Sequence, residues 1–123
     1  MAAIDVALKE ALQLDGAIAA AVVDYTSGMA LATAGGDHTF EPAVAAAANT
    51  EVLRAKLRTI EMLGLQEKIE DILVTLDSQY HLLRPLTGRA GKGLFVYLAL
   101  HKERANLALA RHRLRTIESA IDI

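Results

Sequence analysis

The chain has 123 residues, a formal net charge of -2 and no cysteine. That length suits one domain with its own core, and the slight acidity speaks against a nucleic-acid binder, which carries a basic excess on some face. The missing thiols exclude disulfides, thiol catalysis and thiolate metal sites.

Hydrophobic residues make up 53% of the chain. Much of that share is alanine, which builds helices but covers little area, so close packing and leftover apolar surface for a partner are expected. The opening "MAAIDVALKEAL" lacks the basic n-region of a signal peptide. The longest uninterrupted apolar run, Ala17 to Val23, is too short to span a bilayer. A soluble, cytoplasmic protein without membrane insertion is expected, organised as one domain over 1–123.

In chain order, Ile4, Leu8, Ala11 and Leu12 form one stripe at helical spacing, and Asp15-Gly16 is the turn that ends it. "AIAAAVVDYTSGMALATAGG" reads as two strands joined by Tyr25-Thr26-Ser27-Gly28, with Gly28 at positive φ. Gly35-Gly36-Asp37 closes the second strand. A long helix follows from about Thr39 to Leu63, with Thr39 as N-cap, Pro42 in the first turn and Gly64 as the C-terminal cap. It carries two apolar stripes. Leu53, Leu57 and Ile60 make one, and Ala45, Ala48, Val52, Ala55 and Met62 make the other, although a surface helix needs only one such face. Loops or another part of the domain could cover the second stripe. Its small residues suit a close helix–helix contact, which favours self-association.

Three strands come next, Asp71–Leu76, Tyr80–Thr87 and Leu94–His101, joined by links short enough to make an antiparallel meander. In the last, Leu94, Val96, Leu98 and Leu100 face one way and Phe95, Tyr97 and Ala99 the other, so helices must cover both sides of the sheet. Pro85 marks an edge-like or bulged spot. The final helix spans about Ala105 to Ile121, with Leu107, Ala110, Leu114, Ile117 and Ile121 on one stripe and Arg111, Arg113 and Arg115 mostly off it. The α/β order αββαβββα folds compactly as one five-stranded antiparallel sheet, with the long middle helix on one face and the two terminal helices on the other.

The stretch "LTGRAGKGLF" tests for a phosphate loop. The position five before Gly91 is Leu86, and the residue after Lys92 is Gly93, which has no hydroxyl for magnesium. A strand lies on each side, so the stretch reads as a hairpin loop whose glycines supply positive φ, with Arg89 and Lys92 at its tip available to an anionic partner. The other chemistry-bearing residues are sparse. In simple register His81 and His101 would be cross-strand neighbours, but two histidines without a third ligand are a weak metal signal. No serine stands in a nucleophile elbow. Asp24 reads as an Asx-turn partner, and Glu70-Asp71 as an acidic pair with no basic neighbour in sequence. Arg54 and Arg58 sit one turn apart, with Glu51 and Glu61 as local partners. No catalytic, cofactor-binding or metal site is assigned, and no cofactor.

The opening hairpin "GAIAAAVVDYTSGMALATAG", the closing half "EDILVTLDSQYHLLRPL" and "LFVYLALHKERANLALARHRLRTIE", and above all "RANLALARHRL", resemble the Roadblock/LC7 family. Ala108 stands where that family's pattern leads one to expect glycine. The resemblance implies a profilin-like fold and a homodimer that joins third strands through Ile72, Leu73, Val74 and Thr75 and sets the Ala45–Met62 stripes side by side. It further implies a non-catalytic scaffold or regulator in bacterial signalling that binds a small Ras-like GTPase and modulates its nucleotide state, with a sensor histidine kinase as a further partner. Glu51, Arg54, Arg58 and Glu61 are then the candidate partner contacts, with Arg54 or Arg58 conceivable as an arginine finger in trans. A passive adaptor that links the kinase to other proteins without sensing nucleotide is the alternative. A small-ligand sensor or enzyme using the sheet and the Gly88–Gly93 loop ranks behind both.

Overall fold

The computed structural model describes residues 3–88 and 91–121. Its elements run α1 (Ile4–Leu12), β1 (Ala17–Asp24), β2 (Met29–Gly35), α2 (Pro42–Met62), β3 (Ile72–Thr75), β4 (Gln79–Pro85), β5 (Leu94–His101) and α3 (Leu107–Ser119). The order is the one the sequence predicts. All strands pair antiparallel in one sheet, β2-β1-β5-β4-β3.

β5 sits at the centre, and its alternation organises both layers. Leu94, Val96, Leu98 and Leu100 join Ala20, Val22 and Leu82 against Ala7, Leu8 and Ala11 of α1 and Ala110, Leu114 and Ile117 of α3. Phe95, Tyr97 and Ala99 join Ala21, Val23 and Leu83 against Ala46 and Leu53 of α2. Nearly every residue of β5 is therefore buried, as a strand covered on both faces must be.

Local details depart from expectation for identifiable reasons. Thr39 does not cap α2. Its N–H and hydroxyl both donate to the Asp37 carboxylate in an Asx turn, and the N-cap is Glu41, without a side-chain hydrogen bond. Proline at the first helical position limits the cost, because that N–H would lack an intrahelical partner anyway. At the other end, Gly64 (φ +67°) donates to the carbonyl of Glu61 and Leu65 to that of Ile60, the paired bonds of a Schellman cap.

The β4–β5 connection is a hairpin loop, with one correction to its glycines. Only Gly93 has positive φ (+86°), and Gly91 serves closeness instead, since a Cβ there would lie 2.6 Å from Leu86 Cβ. Arg89 lies outside the described residues. Pro85 fits the ladder because Leu86 donates to Leu94 on the β5 side. Pro85 then turns its nitrogen to the other side, past Ile72, where β3 has ended.

Candidate functional site

The outer surface of α2 divides in two. Pro42, Ala46, Thr50 and Leu53 point inward and are buried. At 100° per residue, Ala45, Ala48, Val52 and Ala55 run along one flank and the crest, and Met62 continues the crest. Glu51, Arg54, Arg58 and Glu61 run along the other flank. Of the first set Ala45 is half-buried and the rest exposed, Val52 to 41% and Met62 to 85%. Small or apolar groups in the open are where a partner surface is expected.

Arg54 fixes which flank faces which way. Its Nε donates to the carbonyl of Tyr25 (2.7 Å), its Nη2 to that of Thr26 (2.6 Å) and its Nη1 to Glu51 Oε1 (2.9 Å). The charged flank therefore leans on the β1–β2 turn, and the apolar flank overlooks the β4 and β3 half of the sheet. The turn itself is preorganised. Asp24 Oδ1 accepts from the N–H and hydroxyl of Thr26, which holds its carboxyl below the usual range, and Gly28 takes φ +80°. Arg58 is exposed, and the pairing with Glu61 that its spacing suggests does not form among the described residues.

On the half of the sheet that the apolar flank overlooks, β3 is a bare edge, paired only with β4. Ile72 and Val74 lie opposite Leu83 and His81 on the α2 face, and Leu73 and Thr75 opposite Leu82 and Tyr80 on the other. Ile72, Leu73 and Val74 are only half-buried and Thr75 is exposed. Such an uncharged, proline-free edge is a template for another strand.

His81 and His101 are diagonal, not directly opposed: His81 pairs with Ala99 and His101 with Gln79. Each ring nitrogen of His81 has a partner, Gln79 Oε1 at 2.8 Å from Nε2 and the Tyr97 hydroxyl at 3.2 Å from Nδ1, with Phe40 edge-on at 6.1 Å. Burial lowers the His81 pKa and pushes the Tyr97 phenol up to about 12. Among the described residues no cluster of three metal-ligating side chains exists, and no helix is long and apolar enough to cross a membrane.

Two polar nodes escaped the sequence reading. Arg84 and Glu118 are 5% and 2% exposed and form a buried ion pair (Nε to Oε1, 3.3 Å). Thr87 adds its N–H to Glu118 Oε2, and Arg84 Nη1 reaches the carbonyl of Glu70. The signals were present: an arginine inside the apolar "HLLRPL", and a glutamate four residues after Leu114 on the inward side of α3. The acidic pair before β3 also finds partners across the fold. Asp71 is held bidentately by Arg111 at 2.9 Å, and Glu70 lies 3.8 Å from Arg115.

No family model matches this chain, and no curated protein matches it. Solved structures do. A Roadblock/LC7 domain from Streptomyces avermitilis superposes with a TM-score of 0.80 at 15% identity, over 97% of this chain and 94% of that one. MglB of Myxococcus xanthus gives 0.80 at 13% identity, over 94% and 81%. MglC of Myxococcus xanthus gives 0.64 at 21% identity, over 94% and 92%. The chain has the Roadblock/LC7 fold.

Proposed function

We propose that this chain, built on the Roadblock/LC7 fold, is a homodimeric regulator without chemistry of its own, which binds a small Ras-like GTPase in the cytoplasm and biases its nucleotide state. The observation that carries the reading is the division of α2. A flank of small apolar groups beside an open sheet edge fits a second copy. The charged flank, tied to an ordered turn, fits a different partner. In this reading Ala45, Ala48, Val52, Ala55 and Met62 meet their counterparts, Ile72 to Thr75 pair with the same strand of the second copy, and Glu51, Arg54, Arg58 and Glu61 face the GTPase. The structural likeness to MglB and the family resemblance both support it.

A regulator shifts the GTPase between conformations only by binding one of them more tightly. The three donor nitrogens of Arg54 are already engaged by Tyr25, Thr26 and Glu51, so Arg54 shapes the contact surface and Arg58 is the arginine that reaches across. An arginine supplied in trans, if it enters the active site, stabilises transition-state charge.

The test is affinity capture from source-cell lysate with the purified chain, run in parallel with GDP and a non-hydrolysable GTP analogue and read by mass spectrometry. The expected result is a small GTPase enriched in one nucleotide state and lost with Arg58→Glu. The same partners in both states, or a histidine kinase and no GTPase, would retire the regulator reading in favour of a passive adaptor.

A further inference from the structure

Beneath the C-terminal half of α2 lies a cleft of about 700 Å³, within the roughly 300–1,000 Å³ of small-molecule sites. One wall is the connection from α2 to β3, and the other is the end of β4 with residues 86–88 and 92–94. Leu57, Ile69 and Leu94 supply apolar surface, and the cations that line it among the described residues are Arg84, Lys68 and Lys92.

Arg84 is the informative one. Its Nε and Nη1 are engaged by Glu118 and the carbonyl of Glu70, while Nη2 has no partner among the described residues. No sealed, unsatisfied side-chain nitrogen or oxygen exists among the described residues. Arg84 itself is 5% exposed and lines the cleft. A buried guanidinium on the lining of a cavity, with a donor unused among the described residues, favours an acceptor that brings negative charge. Two lysines on the same lining act in the same direction.

Two carboxylates also line the cleft, Glu67 and Glu70. Glu70 points its carboxylate toward Arg115 on α3, with the side chain 76% exposed, and Glu67 is exposed on the connection. Neither is bonded to Arg84 through its side chain. The connection can also adapt to an occupant, since residues 66–70 donate no backbone hydrogen bond among the described residues.

We propose that this cleft binds a small amphipathic anion, an apolar body of a size to cover Leu57, Ile69 and Leu94 carrying one carboxylate-type group for the cations Arg84, Lys68 and Lys92. The connection that forms its wall runs from Met62 to Ile72, so an occupant sits between the helix and the strand assigned to self-association. The site stands on its own geometry and does not depend on the GTPase reading.

The test uses isotope-labelled full-length chain and two probes of equal length, decanoate and decanol, followed by amide chemical shifts. Decanoate is expected to give saturable shifts centred on residues 63–71, 84–88 and 92–94. Decanol should bind about tenfold more weakly, and the Lys68→Gln/Lys92→Gln pair should weaken decanoate by about tenfold, the scale of one charge-assisted contact. Both lysines are exposed, so the variant keeps its unfolding midpoint. Equal affinity for the two probes, shifts centred on the crest of α2, or no shifts at millimolar decanoate would each overturn the proposal.

Discussion

The two faces of the sheet are covered unequally. On one, α1 and α3, 9 and 13 residues long, lie side by side and seal Leu8, Leu82, Leu98 and Leu114 to 2% exposure or less. On the other, the 21-residue α2 packs over β1 and β2 and seals Leu53, Phe95 and Tyr97, but Ile72, Val74 and His81 stay half-exposed. Two helices leave Leu73, Thr75 and Tyr80 open at the β3 end of their face but seal its centre; one long helix leaves Ile72, Val74 and His81 open on its own. The closed face spends its residues on stability, whereas the open face keeps apolar groups that a lone chain cannot bury.

The sharpest break in that comparison is Glu118→Ala. Glu118 belongs to α3, and its loss leaves the Arg84 guanidinium buried without a counter-charge and removes the acceptor of the Thr87 N–H. Unpairing a buried ion pair costs about 3–5 kcal/mol, so urea unfolding should show a large loss. A loss below about 1 kcal/mol, the range of an exposed pair, would mean that solvent screens the pair and that it contributes little to this face.

Val52→Glu probes the other side. Val52 is exposed on the apolar flank, so the monomer's stability should move by no more than about 0.5 kcal/mol. If a second copy covers that flank, burying the new carboxylate should raise the dimer dissociation constant by about 100-fold, measured by sedimentation equilibrium. An unchanged dimer places the contact elsewhere.

A smaller contrast runs across α2 between two arginines the sequence could not separate. Arg54→Ala removes bonds to two turn carbonyls and should cost about 1–2 kcal/mol. Arg58→Ala should cost no more than about 0.5 kcal/mol. Equal losses by thermal unfolding would show that the tether to the turn carries no weight.

That pair of arginines shows where legibility ended. Element order, sheet composition and the inward and outward residues of β5 were readable, because periodicity and turn chemistry are local. Asp24 as an Asx-turn partner and the two stripes of α2 were readable for the same reason. The tether of Arg54 to residues 25 and 26, the clamp of Arg111 on Asp71 and the Arg84–Glu118 pair were not. Each joins residues more than 25 positions apart, and spacing rules speak only of neighbours. Thr39 failed differently: as a cap its hydroxyl oxygen would accept from an N–H of the first turn, whereas here its hydroxyl and N–H both donate to Asp37 two residues back.

The mildest prediction concerns pH and returns to the open face. His81 is flanked by Val74, Gln79, Phe40 and Tyr97, and no carboxylate pairs with its ring among the described residues. Burial lowers its pKa from the ordinary 6.5, so the folded chain prefers the neutral ring. The sign follows from linkage: a group protonated more readily when unfolded contributes stability that is fully present above its unfolded pKa and is lost as pH falls below it. Unfolding free energy should therefore decline as the solution is acidified from about pH 7 through 6, and His81→Phe should flatten that segment. If the flank of a second copy covers the open face, the ring is desolvated further in the dimer. The decline should then be steeper for the wild-type chain than for Val52→Glu, held monomeric at the same concentration. Equal slopes would place His81 outside the contact and confine the second copy to the crest of α2 and the edge of β3.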